Sequence, residues 1–142
     1  MDKKRLLIVD DEPELLLLME ARLAANGYEV FRATDGQLGL EIAKKEKPDL
    51  IILDLMLPKM DGFKVCGLLK KDSRYAHIPI LLFTARAQEE DRQLGAEMGA
   101  DGYLTKPFNP EILLAKISTL LLKAGSQLED EGKKNGTQNL SR

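Results

Sequence analysis

The chain has 142 residues with 44% hydrophobic and 31% charged residues, the balance of one folded domain rather than of a disordered chain. Its formal net charge is −2, and its Lys and Arg residues form no dense basic stripe, so nothing suggests nucleic-acid binding by this chain itself. One cysteine, Cys66, excludes an internal disulfide and suits a reducing cytoplasm, while one histidine, His77, excludes a multi-histidine metal site. The longest apolar run, Leu15–Met19, is far below the roughly 20 residues that cross a bilayer, and Leu6–Val9 ends in two aspartates and makes no signal-peptide core.

Short aliphatic runs alternate with amphipathic stretches. Leu6–Val9 reads as a buried strand, and Pro13 suits the first turn of a helix with Asp11 or Glu12 before it. That helix carries Leu15, Met19 and Leu23 and stops at Asn26-Gly27. Tyr28–Ala33 predicts a second strand. Thr34 with Gln37 fits a capping box opening a second helix that fades before Pro48. Leu50–Leu53 is a third strand, and Asp61-Gly62 starts a helix with Val65, Leu68 and Leu69. Pro79–Phe83 is a fourth strand, followed by a helix over Gln88–Met98 whose large apolar residues are only Leu94 and Met98. Gly102–Leu104 makes a short fifth strand, and Asn109-Pro110 caps a last helix through Leu113, Ile117, Leu120 and Leu121.

Strict alternation of five such strands with five helices predicts an α/β fold with a parallel sheet covered on both faces. Right-handed crossovers favour the flavodoxin-like strand order 2-1-3-4-5. From Lys123 onward Gly125, Gly132 and Gly136 punctuate a polar stretch. The expected organisation is therefore a domain over 1–124 and a flexible polar tail or linker over 125–142.

In open parallel sheets ligands bind outside the carboxyl ends of the strands. The first strand ends in Asp10-Asp11, the third in Asp54 and the fourth in Thr84, and Lys106 lies just past the fifth. In the order 2-1-3-4-5 the three aspartates converge, with Thr84 and Lys106 beside them. Clustered carboxylates repel unless a cation intervenes, and Mg²⁺ is the hard, oxygen-preferring ion that suits them. A lysine and a hydroxyl opposite complete a site fit for phosphoryl transfer to a carboxylate. Taken singly, Asp11 also fits a plain helix cap, Thr84 a strand residue and Lys106 a solvated lysine; only their combination speaks for chemistry. His77, in a loop, reads as a surface residue, and Cys66 as a small buried hydrophobe.

The segments Leu7-Ile8-Val9-Asp10-Asp11-Glu12-Pro13, Leu53-Asp54-Leu55-Met56-Leu57-Pro58-Lys59-Met60-Asp61-Gly62, Thr84-Ala85 and Lys106-Pro107-Phe108 resemble the receiver domain of two-component response regulators. The resemblance covers roughly Lys4 to Lys123. It implies that Asp54 accepts a phosphoryl group and that Asp11, Asp54 and the Met56 carbonyl bind Mg²⁺, with Asp10 acting through a coordinated water. Thr84 and Lys106 would meet phosphoryl oxygens, and Tyr103 would be the switch aromatic of a readout face made by the fourth helix, fifth strand and last helix. A cis Lys106–Pro107 bond is also implied, and Met56 and Arg86 occupy variable positions that tune phosphoryl lifetime. The implied partners are a sensor histidine kinase or histidine phosphotransfer protein and a downstream protein or output domain; dimerisation on phosphorylation stays open. So do two alternatives, a phosphorelay carrier passing the group to another histidine protein and a pseudo-receiver that only binds. The chain is expected to be a signalling phosphoacceptor rather than an enzyme.

Overall fold

Aliphatic segments too short for helices form the sheet, and the helices between them cover it. The computed structural model describes residues 2–107 and 109–140, with side chains to Ser126; Phe108 of the Lys106-Pro107-Phe108 segment lies outside the described residues. In chain order the elements are β1 (Arg5–Val9), α1 (Pro13–Ala25), β2 (Glu29–Ala33), α2 (Gly36–Glu46), β3 (Leu50–Leu53), α3 (Gly62–Lys70), β4 (Ile80–Thr84), α4 (Glu89–Glu97), β5 (Gly102–Thr105) and α5 (Pro110–Leu140). The sheet has the order β2-β1-β3-β4-β5, and every pairing is parallel. Fold class and strand order agree with the sequence reading.

The two-residue period of the strands divides the core in two. Leu7, Val9, Ile51, Leu53, Ile80 and Leu82 face one side, where they meet Leu40 and Ala43 of α2 and Val65 and Leu69 of α3. Leu6, Ile8, Leu50, Ile52, Leu81 and Phe83 face the other, against Leu16, Met19 and Leu23 of α1 and Leu113, Ile117 and Leu120 of α5. The aliphatic strands β3 and β4 are buried along their whole length because helices cover both faces.

Local chemistry sets the helix starts. The carboxylates of Asp35 and Asp61 accept from the Leu38 and Lys64 N–H groups at 2.7 and 3.0 Å, and Asn109 accepts from the Ile112 N–H at 3.1 Å. The Thr34–Gln37 capping box does not form. Asp35 is the residue directly before the helix, and the Gln37 amide donates to Glu41 instead. Glu12 occupies the cap position of α1 without a side-chain capping bond, and Asn26 ends that helix beside Gly27, at φ +91°.

The last helix runs on past residue 124, and its backbone is helical to Leu140. A helical ladder is satisfied locally and needs no docked face. Gln127, Leu128, Glu129, Glu131 and Lys133 favour helix, and no proline follows Pro110 to break it. Among residues with described side chains, the last buried one is Leu120.

Candidate functional site

Strand register assembles the acidic cluster. Val9 pairs with Leu53, so Asp10 and Asp54 leave β1 and β3 side by side. The Asp54 N–H bonds the Val9 carbonyl at 3.0 Å and the Asp10 N–H bonds the Ala33 carbonyl at 3.0 Å, extending the ladder one residue past the strands. The carboxylates of Asp10, Asp11 and Asp54 then offer oxygens that all lie within 4.8 Å of one another. Asp10 and Asp54 are buried, 2% and 5% exposed, while Asp11 faces solvent.

Lys106 enters this cluster from the far side. Its N–H bonds the Thr84 carbonyl at 2.8 Å, which fixes it just past β5, and its peptide bond to Pro107 is cis. The Lys106 Nζ lies 2.9 Å from Asp10 Oδ2 and 3.0 Å from Asp54 Oδ2, with a side chain only 12% exposed. Glu12, 60% exposed, adds a third carboxylate at 3.2 Å. Burial alone would push the ammonium toward neutrality, but its bonds to Asp10 and Asp54 outweigh that and raise its pKa above the ordinary lysine value. Burial also raises the Asp10 pKa, against the opposing pull of the Glu12 N–H and Lys106. The ammonium thus occupies the place where clustered anions most need positive charge.

The remaining expected residues surround this centre. Thr84 is fully buried at the end of β4, and its Oγ1 accepts from the Arg86 N–H over a long 3.4 Å. Met56 donates its N–H to Asp54 Oδ1 at 3.1 Å while its side chain is exposed. The Tyr103 hydroxyl donates to the Arg86 carbonyl at 2.6 Å, and Arg92 stacks on its ring at 4.8 Å. Burial, then the nearby Asp91 carboxylate, raises the Tyr103 pKa. His77 is exposed in the loop entering β4, and Cys66 is buried with its thiol against the Met98 carbonyl at 3.6 Å.

Two contacts are not legible in the sequence, Glu12 with Lys106 and Arg86 with Asp91. Glu12 was weighed only as a cap, although its place directly after Asp10-Asp11 puts it within reach of the same cation. The Arg86 guanidinium lies 2.7 Å from Asp91 and packs over the Phe63 ring at 5.8 Å, tying the β4–α4 loop to α4 and α3. No periodicity signals that pair, because Asp91 is a buried acid on an otherwise polar helix.

Three hard carboxylate oxygens at one rim, already drawing a lysine ammonium among them, make a donor set that fits Mg²⁺. A parallel α/β sheet with such a rim suits phosphoryl chemistry on a carboxylate. Residues 6–118 match the response regulator receiver domain, and the chain belongs to that family. It is 50% identical over 117 residues to the DNA-binding dual master transcriptional regulator RpaA of a Synechocystis species, spanning 82% of this chain and 48% of that protein. It is 45% identical over 121 residues to the alkaline phosphatase synthesis transcriptional regulatory protein PhoP of Bacillus subtilis, spanning 85% of this chain and 50% of the other. The chain therefore spans about half the length of these curated relatives. Among solved structures, a CheY-like response regulator receiver domain protein from Methanospirillum hungatei superposes with a TM-score of 0.84 at 32% identity, covering 89% of this chain and 99% of that one. Among the described residues no helix is long and apolar enough to cross a membrane.

Proposed function

We propose that Asp54 is the phosphoacceptor of this receiver domain and that Asp10, Asp11, Asp54 and the Met56 backbone carbonyl hold Mg²⁺, Asp10 through a coordinated water. The observation that carries this reading is the Lys106 ammonium within 3.0 Å of both buried carboxylates, Asp10 and Asp54. A carboxylate held beside a fixed cation is shielded enough to approach an anionic phosphoryl donor.

The donor is the phosphohistidine of a sensor kinase or histidine phosphotransfer protein. An Asp54 carboxylate oxygen attacks the phosphorus, the phosphorus–nitrogen bond breaks, and its electron pair returns to the imidazole. The product is an acyl phosphate on Asp54. Mg²⁺ held by these residues would supply charge neutralisation for the transfer. Lys106 turns from the Asp54 carboxylate to a phosphoryl oxygen. The Thr84 hydroxyl donates to another, giving up only its 3.4 Å contact with the Arg86 N–H. Because Tyr103 bonds the Arg86 carbonyl, movement of this loop reaches β5 and biases the face made by α4, β5 and α5.

This is switching with slow self-catalysed gain and loss of the phosphoryl group rather than turnover of a substrate. The receiver unit is residues 1–124, after which α5 leads toward an output domain or partner protein; the relatives are named as transcriptional regulators and are about twice as long. The chain works in the cytoplasm, where sensor kinases present their phosphohistidine. Intact-mass measurement after incubation with a small phosphodonor and Mg²⁺ tests the assignment. One phosphoryl is expected on the wild type and none on Asp54→Asn; labelling at another residue defeats the proposal.

A further inference from the structure

The loop from β3 to α3 carries the Met56 carbonyl; Leu55 is buried and Leu57 and Met60 pack against the core, while Met56, Pro58 and Lys59 are exposed. Its two ends are tied internally, by the Met56 N–H on Asp54 Oδ1 at 3.1 Å and the Gly62 N–H on the Leu55 carbonyl at 3.0 Å. Its middle has an internal bond of its own, the Met60 N–H on the Pro58 carbonyl at 2.8 Å, and also rests on a different element, the start of α2. The Gly36 N–H, one of the amides a helix leaves free in its first turn, donates to the Pro58 carbonyl at 3.3 Å. Lys59 beside it has a left-handed φ of +68°, and its Nζ lies 3.7 Å from Asp35 Oδ2. A Cβ built on Gly36 would sit 1.8 Å from the Met60 carbonyl oxygen and 2.7 Å from its carbon. The loop backbone therefore lies directly on Gly36, closer than any side chain allows.

We infer that Asp35 and Gly36 are positioning residues for the cation site: the start of α2 seats the Pro58–Met60 backbone and so holds the Met56 carbonyl beside Asp54. The inference rests on the phosphoacceptor reading. Gly36 is needed for the close approach, while Asp35 serves twice, capping Leu38 through Oδ1 and facing Lys59 through Oδ2. Partners behind metal ligands fix ligand orientation, so displacing the loop weakens cation binding without touching a ligand.

The test compares wild type, Gly36→Ala and Gly39→Ala by Mg²⁺ calorimetry, urea unfolding and phosphorylation from a small phosphodonor. Gly39 is the control, on the same helix, where a Cβ would meet Val9 methyls at 2.8 and 2.9 Å but not the loop. Gly36→Ala is expected to bind Mg²⁺ about tenfold more weakly, with Gly39→Ala within about twofold of wild type although also destabilised. Equal weakening in both variants, or none in Gly36→Ala, overturns the inference and leaves the phosphoacceptor reading standing. A wild type that neither binds Mg²⁺ nor takes a phosphoryl group on Asp54 overturns both. Should Gly36→Ala not fold, amide exchange of the wild type decides. Coupling is reciprocal, so saturating Mg²⁺ must slow exchange at Gly36 and Met60; unchanged exchange there overturns the inference.

Discussion

Lys106 is the residue on which the rim's electrostatics turn. Its ammonium stands 2.9 and 3.0 Å from two buried carboxylates, which without it would face each other unshielded. Lys106→Met should cost roughly 2–4 kcal/mol in urea unfolding, somewhat below the range for breaking a buried pair because the rim is open to water. Millimolar Mg²⁺ should restore more stability to this variant than to wild type, since it binds the folded rim and no longer competes with the ammonium. Cys66 behaves in the opposite way. Burial, opposed by Lys70, pushes its thiol up to about 11, so at pH 8 it stays protonated and shielded. Iodoacetamide should label it slowly in the native protein at pH 8 and readily in urea, as followed by intact mass.

Among the elements, α4 has the weakest apolar attachment. Leu94 is 40% exposed, and the buried positions of the helix are Asp91 and Gly95. Gly95 permits close contact with Leu82, while Asp91 is drawn in by Arg86 at 2.7 Å. A helix held by one ion pair, one close approach and the Arg92–Tyr103 stack opens more readily than α5, which buries Leu113, Ile117 and Leu120. Arg86→Ala should therefore lower amide protection across α4 by hydrogen exchange and leave the Leu113–Leu120 stretch of α5 unchanged. The sparse apolar content of Gln88–Met98 was legible in the sequence, but the ion pair replacing it was not. Its two partners flank a loop whose path no local pattern specifies. The same limit explains α2: Thr34 and Asp35 are both good caps, and only the backbone path past the Pro58 carbonyl selects Asp35.

At the scale of the whole molecule, the buried core of the described residues closes within the first 120. Leu120 is the last buried side chain among those described, and α5 beyond it runs as a helix with its own backbone bonds. A chain ending at residue 124 should consequently keep its unfolding free energy within about 1 kcal/mol, measured by urea titration, because among the described residues no buried side chain follows Leu120. The site lies at the carboxyl rim of the same core. Its geometry therefore inherits the stiffness of β1 and β3, two central strands packed on both faces.

Much of this protein is written in short-range pattern. Four- and five-residue aliphatic runs separated by helical stretches dictate a parallel sheet, since each strand must be covered on both faces and each crossover needs a helix. Polar residues placed directly after those runs, Asp10, Asp11, Asp54, Thr84 and Lys106, come to one rim because all the strands point the same way. Only the tertiary structure decided how that rim is shared: Glu12 joining Asp10 and Asp54 around Lys106, Arg86 capturing Asp91, and Gly36 lying under the Met60 carbonyl. These contacts depend on the relative heights and angles of separate elements, which packing of the full core fixes and no single segment encodes.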